Sequence, residues 1–173
     1  MHPFEEIKTE RLFLRKLRES DWEMIFYLRS DPEVNRFVIR PAAETREKAL
    51  EFIHRIGEEY KTAKSWYWCI SLKEDPKMIG SISLWNFSKD RKTAEVGYDL
   101  SPGFHGRGIM NEALAAILDF GFQQLSLDRV EAYTQWNNES SVKLLKNREF
   151  VLVEGITDED NEDNRVFRIY NSS

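Results

Sequence analysis

Cysteine is nearly absent from this sequence: Cys69 is the only one in 173 residues. A lone thiol forms no intrachain disulfide and no multi-cysteine metal centre, and with no histidine nearby in sequence to activate it, Cys69 reads as a core thiol rather than a nucleophile. Histidine is scarce too, and three scattered imidazoles with one cysteine point to no metal site. Basic residues are outnumbered, 25 Lys and Arg against 30 Asp and Glu for a formal charge of −5. No global positive field is therefore available to hold nucleic acid by counterion release, and no nucleic-acid partner is expected. No apolar run approaches the roughly eighteen residues of a membrane helix, and the opening Met1-His2-Pro3-Phe4-Glu5-Glu6 lacks the charged and apolar regions of a signal peptide. The expectation is a cytoplasmic chain with no membrane span. Repeats, low-complexity tracts and linker-like composition are missing as well, so residues 1–173 read as one domain.

What is present is a globular composition, 41% hydrophobic, laid out in clear periodicities. Residues 7–17 (IKTERLFLRKL) set Leu12, Leu14 and Lys16 against Arg11, Phe13 and Arg15, a strand pattern. Ser20 and Glu23 have capping-box spacing ahead of Trp22, Ile25, Phe26 and Leu28, which predicts a helix from near Asp21 to just before Asp31-Pro32. After Thr45, the spacing of Ala49, Phe52, Ile53, Ile56 and Tyr60 predicts a second helix to about Tyr60. Segments 65–72, 77–85 and 93–100, joined by short polar turns, predict an antiparallel meander whose first strand, apolar on both faces, is central. A broad apolar arc over 108–123 predicts a well-buried third helix. A strand at 129–136, a fourth helix at 138–147 and late strands near 150–154 and 165–170 complete the chain. The fold class is α+β, a mixed architecture with a central, mostly antiparallel twisted sheet of about seven strands flanked by four helices.

The chemistry concentrates in 95–112, EVGYDLSPGFHGRGIMNE. A strand passes through Ser101-Pro102-Gly103 into Gly106-Arg107-Gly108 at the mouth of the buried helix. Helix N-termini present unsatisfied amides and a positive dipole end, and glycines let an anion approach that backbone. The loop is a candidate pyrophosphate cradle, and a tight turn without a ligand is the other reading of the same glycines. The third glycine and later acid of a dinucleotide fingerprint are missing, as is the G-K-[ST] of a nucleotide triphosphatase.

The segment TAEVGYDLSPGFHGRGIMNEAL (93–114) resembles the acetyl-CoA-binding segment of the GCN5-related N-acetyltransferases, and TERLFLRKLRESDW (9–22) and SDPEVNRF (30–37) resemble the Rim-type branch, which includes ribosomal-protein N-terminal acetyltransferases. The resemblance implies that His105, Gly106, Arg107, Gly108 and Ile109 hold the coenzyme pyrophosphate through backbone amides, and that Asp99, Leu100 and Ser101 pair with the pantetheine arm. Asn138-Glu139-Ser140-Ser141 is similar to the family's N-x-x-S helix opening. Capping alone would account for Asn138 and Ser141; the resemblance adds an Asn138 contact to pantetheine and a Ser141 hydroxyl near the coenzyme sulfur. Leu145 stands where many members carry a tyrosine, so no tyrosine acid is expected at that position. Gly103, Glu149 and a short segment after Gly155 depart from the family pattern.

Acyl transfer to an amine needs a deprotonated amine, donors for the oxyanion and a proton for the departing thiolate. Backbone amides near 97–100 are candidates for the oxyanion, and Glu95 is the candidate base, a carboxylate paired with a cross-strand Arg or Lys being its other reading. Trp85 and Asn86 end a strand expected along the acceptor groove, although a strand-end aromatic also serves packing. Asp158, Glu159, Asp160, Glu162 and Asp163 are either an attractor for a cationic amine or a solvated turn. The resemblance implies an acetyl-CoA-dependent N-acetyltransferase acting directly on a protein N-terminal α-amine. The rival readings are a small-amine acetyltransferase (polyamine or aminoglycoside) and a non-catalytic acyl-CoA-binding module. Edge strands and the Rim-type resemblance are compatible with a homodimer.

Overall fold

A computed structural model describes residues 3–172; Met1, His2 and Ser173 lie outside the described residues. In chain order the elements are β1 (Ile7–Lys8), β2 (Leu12–Lys16), a 3-10 turn at Glu19–Asp21, α1 (Trp22–Ser30), α2 (Arg46–Lys61), β3 (Trp66–Leu72), β4 (Asp75–Trp85) and β5 (Thr93–Leu100). A 3-10 turn at Pro102–Phe104, α3 (Ile109–Gln123), β6 (Arg129–Gln135), α4 (Glu139–Asn147), β7 (Val151–Val153) and β8 (Asn164–Tyr170) follow. The strands form one eight-stranded sheet in the order β1-β2-β3-β4-β5-β6-β8-β7. β5 and β6 run parallel; the other neighbours are antiparallel.

The first predicted strand is two strands, because the chain reverses over residues 9–12, where the Thr9 amide donates to the Leu12 carbonyl (3.0 Å), and β1 folds back antiparallel onto β2. The capping box expected of Ser20 and Glu23 does not form. A 3-10 turn precedes α1 instead, and the Asp21 carboxylate accepts the Arg18 amide (2.8 Å). That carboxylate is also gripped by Arg15 through Nη1 (3.0 Å) and Nη2 (2.8 Å), a buried pair whose Nη2 also reaches the Pro76 carbonyl (2.8 Å). Two charges removed from water are stable together only when mutually hydrogen-bonded, which ties the start of α1 to β2 and β4.

Strand alternation divides the core into two layers. Trp66, Trp68, Ile70, Ile82 and Leu84 face α3 and α4, whereas Cys69 and Met78 face α1 and α2 with Ile25, Leu28, Phe52 and Ile53. Cys69 is fully buried, as a core thiol would be. At the β4–β5 pairing a Cβ on Gly80 would sit 2.4 Å from the Asp99 carbonyl oxygen, so only glycine permits this backbone approach.

β5 and β6 pair over three positions only, Thr93, Ala94 and Glu95 against Arg129, Val130 and Glu131. Beyond that seam β5 stays with β4 up to Leu100, and β6 stays with β8 along its whole length. The sheet therefore parts into β1–β5 and β6–β8–β7, with α3 packed against β2, β4 and β6 to hold the halves together.

α4 closes in a Schellman motif: Phe150 N–H donates to Leu145 O (2.9 Å) and Glu149 N–H to Lys146 O (3.0 Å), while Leu145 and Phe150 are both buried. The residue after the C-cap is left-handed, and here it is Glu149, at φ +66°. A side chain is disfavoured there by about 1–2 kcal/mol. Glu149→Gly should raise unfolding stability by about 0.5–1 kcal/mol after the freedom of glycine in the unfolded chain is counted, read as a higher denaturant midpoint at unchanged slope.

Candidate active site

The parting of the sheet leaves β5 beyond Glu95 without a strand neighbour on its β6 side among the described residues. Side chains of Ala94 and Val96 face the α3 layer, and Tyr98 follows them by alternation. Its hydroxyl meets the Ser141 hydroxyl of α4 at 2.5 Å, bridging the two halves of the sheet. Burial pushes the Tyr98 phenol up to about 12 against the opposing effect of the Ser141 hydrogen bond, so it stays protonated at neutral pH. Tyr98 is absent from the residues that sequence reasoning singles out. Its one signal there is the alternation, which sets a tyrosine on the core face of the strand leading to the glycine loop. Leu145, fully buried, supplies packing only.

Asn138 caps α4 by accepting the Ser141 amide (3.3 Å), so capping accounts for its carbonyl oxygen. The Asp99 carboxylate points to the other face of the sheet, where it accepts from Ser81 Oγ (2.5 Å) and Arg40 Nη2 (3.1 Å). Only the Asp99 backbone is left at the parted edge. Leu100 pairs with Gly80, and the Ser101 amide donates to Ile79 O (2.8 Å).

The loop between β5 and α3 is pinned by His105, whose Nε2 lies 2.9 Å from Leu100 O. Gly106 (φ +76°) and Gly108 (φ +72°) are both left-handed, a conformation for which glycine carries no penalty. A Cβ on Gly106 would meet nothing within 4 Å, and one on Gly108 only Arg11 Nη2 at 3.5 Å. The amides of Gly108, Ile109, Met110 and Asn111 have no hydrogen-bond acceptor among the described residues. These are open, unsatisfied donors at a helix N-terminus, the arrangement that accepts phosphate oxygens. The Arg107 guanidinium lies over the Phe104 ring, 5.3 Å from its centroid.

On the opposite face of β5 stands Glu95, whose Oε1 accepts from Asn86 Nδ2 (3.3 Å). Among the described residues it has no Arg or Lys partner, whereas neighbouring Glu131 is paired with Arg168 Nε at 2.6 Å. Burial, reinforced by the like charges of Asp158 and Glu131 and opposed by the Asn86 hydrogen bond, pushes Glu95 up to about 7. The acidic stretch is partly a self-bonded turn, Asp158 accepting the Asp160 amide (3.0 Å) and Asn164 Nδ2 (2.8 Å), yet Asp158 is near enough to act on Glu95. Trp85 pairs with Glu95 in register, is 44% exposed, and lines an open groove of about 310 Å³ with Asn86, Phe87 and Arg91.

Because Glu95 is better accommodated protonated, its contribution to stability is full below the ordinary value of 4.5 and is lost as pH rises through about 7. Glu95→Gln should therefore raise the thermal midpoint at a pH above that range and leave it nearly unchanged in acid, as scanning calorimetry at the two pH values would show.

Comparison with known proteins agrees with this geometry. A family model described as an acetyltransferase (GNAT) domain matches residues 11–151. The N-acetyltransferase p20 of Bacillus licheniformis, itself uncharacterized, is 30% identical over 167 residues, covering 96% of this chain and 93% of that protein. Among solved structures, the ribosomal-protein-S5-alanine acetyltransferase of Vibrio fischeri aligns with a TM-score of 0.83 at 24% identity over 97% of each chain. The microcin C7 self-immunity acetyltransferase MccE, solved with acetyl-CoA and AMP, aligns with a TM-score of 0.80 at 20% identity over 94% of each chain. The two structures share the fold, and the family model together with the p20 likeness over nearly the full chain carries the assignment: this protein belongs to the GNAT family of N-acetyltransferases.

Proposed function

We propose that this chain transfers an acetyl group from acetyl-CoA directly to a protein N-terminal α-amine, as in the Rim-type branch. The observation that carries the reading is the parted seam, with the Tyr98–Ser141 hydroxyl pair on one face of β5, the uncompensated Glu95 on the other, and the open amides of the glycine loop beyond its end.

Acetyl-CoA supplies an activated acyl group as a thioester, and the loop amides of 106–111 with the N-terminus of α3 are suited to its pyrophosphate. Glu95 accepts a proton from the ammonium of the acceptor. A carboxylate near 7 is a weak base, matched to an α-amine of about 8 far better than to a lysine-type amine of about 10.4. This match favours the N-terminal acceptor over a polyamine. The carboxylates of Glu95 and Asp158 draw in a cationic acceptor before its proton is lost. As the new C–N bond forms, unpaired backbone amides of β5 are available for the charge on the carbonyl oxygen. When the C–S bond breaks, the Ser141 hydroxyl, backed by the Tyr98 phenol, gives a proton to sulfur, and the second proton shed by the acceptor nitrogen, passed through solvent, restores the pair.

Titration with acetyl-CoA and CoA, beside a Gly106→Asp, Gly108→Asp double variant, tests the cradle: the native protein should bind and the folded variant should not. Free-thiol release with basic N-terminal peptides against polyamines then tests the acceptor, and coenzyme binding without turnover on any amine would replace the transferase reading by a binding module. Tyr98→Phe should lower kcat about a hundredfold while moving the acetyl-CoA KM far less. A base must be ionised to act, so kcat/KM should climb as pH rises through about 7, and Glu95→Gln should remove that limb.

A further inference from the structure

Arg11 lies on the chain between β1 and β2, far in sequence from the glycine loop, yet its guanidinium reaches that loop. Nη1 donates to the Arg107 carbonyl at 2.7 Å. Nε donates to Glu112 Oε1 at 2.7 Å, while the Arg11 amide and Thr9 Oγ1 donate to Glu112 Oε2 at 2.8 and 2.5 Å. One planar group thus holds the first turn of α3 and the loop leading into it, along two diverging N–H directions that a lysine ammonium cannot reproduce.

We propose that Arg11 is a positioning residue for the coenzyme: by fixing the Arg107 carbonyl it turns the Gly108 N–H toward the phosphate site. The inference rests on reading this loop as the coenzyme cradle. In a trans peptide the carbonyl and the following N–H point in opposite directions, so a carbonyl held by Arg11 leaves the Gly108 amide facing away from it. With glycine on both sides of Arg107 the peptide is otherwise free to rotate, since left-handed and right-handed conformations cost glycine about the same. The same contact set answers a second need. Glu112 sits in the first turn of the helix that receives the phosphates, and the three donors around it outweigh burial and hold its carboxyl below the usual range, so it stays charged. Arg11 offsets that charge beside an anion site.

The test is calorimetric titration of CoA into the native protein, Arg11→Ala, Arg11→Lys and the double variant Arg11→Ala, Glu112→Gln, with steady-state kinetics on each. Arg11→Ala should weaken CoA about tenfold or more, the worth of one oriented hydrogen bond to a charged group, and raise the acetyl-CoA KM in step while kcat falls less than about threefold. Arg11→Lys should also weaken binding, and it carries the test if the alanine variant does not fold. The double variant should stay as weak as Arg11→Ala. Native-like affinity in the Arg11 variants, restoration of binding in the double variant, or a fall in kcat as large as the rise in Kd would each overturn the proposal, the second by showing charge shielding alone. The Gly106→Asp, Gly108→Asp variant separates the two levels: if it binds CoA like the native protein the cradle reading fails and Arg11 with it, whereas if it loses CoA and the Arg11 variants do not, only the role of Arg11 fails.

Discussion

Everything at the candidate site depends on a parallel ladder that stops after three residue pairs. β5 is committed to β4 and β6 to β8, and each antiparallel ladder runs on past the point at which the two strands separate. A backbone edge exposed inside a sheet is ordinarily expensive, because its amides and carbonyls have lost both water and partners. Here the cost is offset by core packing on both sides of the gap. α3 spans the two halves with Ala113, Leu114, Ile117 and Leu118 buried beneath them, so the separation is fixed by apolar packing rather than by anything at the edge itself.

The two faces of β5 are given different chemistry by simple alternation. Even-numbered positions from Ala94 to Tyr98 look toward α3 and α4; odd-numbered ones, Glu95 and Asp99, look the other way. A proton donor and a proton acceptor on adjacent turns of a helix would share a surface. On a strand, residues three apart such as Glu95 and Tyr98 fall on opposite faces, separated by the thickness of the backbone. Gly80 permits the end of this strand to be held close to β4, where any side chain would strike the Asp99 carbonyl.

Much of the fold is legible from periodicity. The meander, α2, α3 and α4 fall within a residue or two of the expected bounds, because each carries a long apolar stripe or an unbroken alternation. α1 starts where expected but its cap differs: Ser20 and Glu23 satisfy a local rule, whereas Asp21 is taken by buried Arg15 of the neighbouring strand and a 3-10 turn forms around it. The glycine loop and Glu95 stand out from the amino-acid sequence alone, the first by its spacing at a strand-to-helix joint and the second as an acid inside a core strand. Tyr98 does not, because nothing local distinguishes it from a core tyrosine; its contact with Ser141 forms only when α4, more than forty residues later, packs beside it. Arg11 has the pattern of the outward side of a strand, and its grip on Arg107 and Glu112 spans about a hundred residues of sequence.

The sheet ends in strands of two residues at β1 and three at β7. A free strand edge is a template on which another chain can continue the ladder, and its danger grows with the number of unpaired amides in register. Eight strands with long outer members would invite stacking of copies into a continuous sheet, particularly with Val151 and Leu152 exposed on β7. Such short borders offer an incoming strand only two or three residues to pair with before the chain turns away, so the sheet carries an open internal edge while its outer edges give polymerisation little to build on.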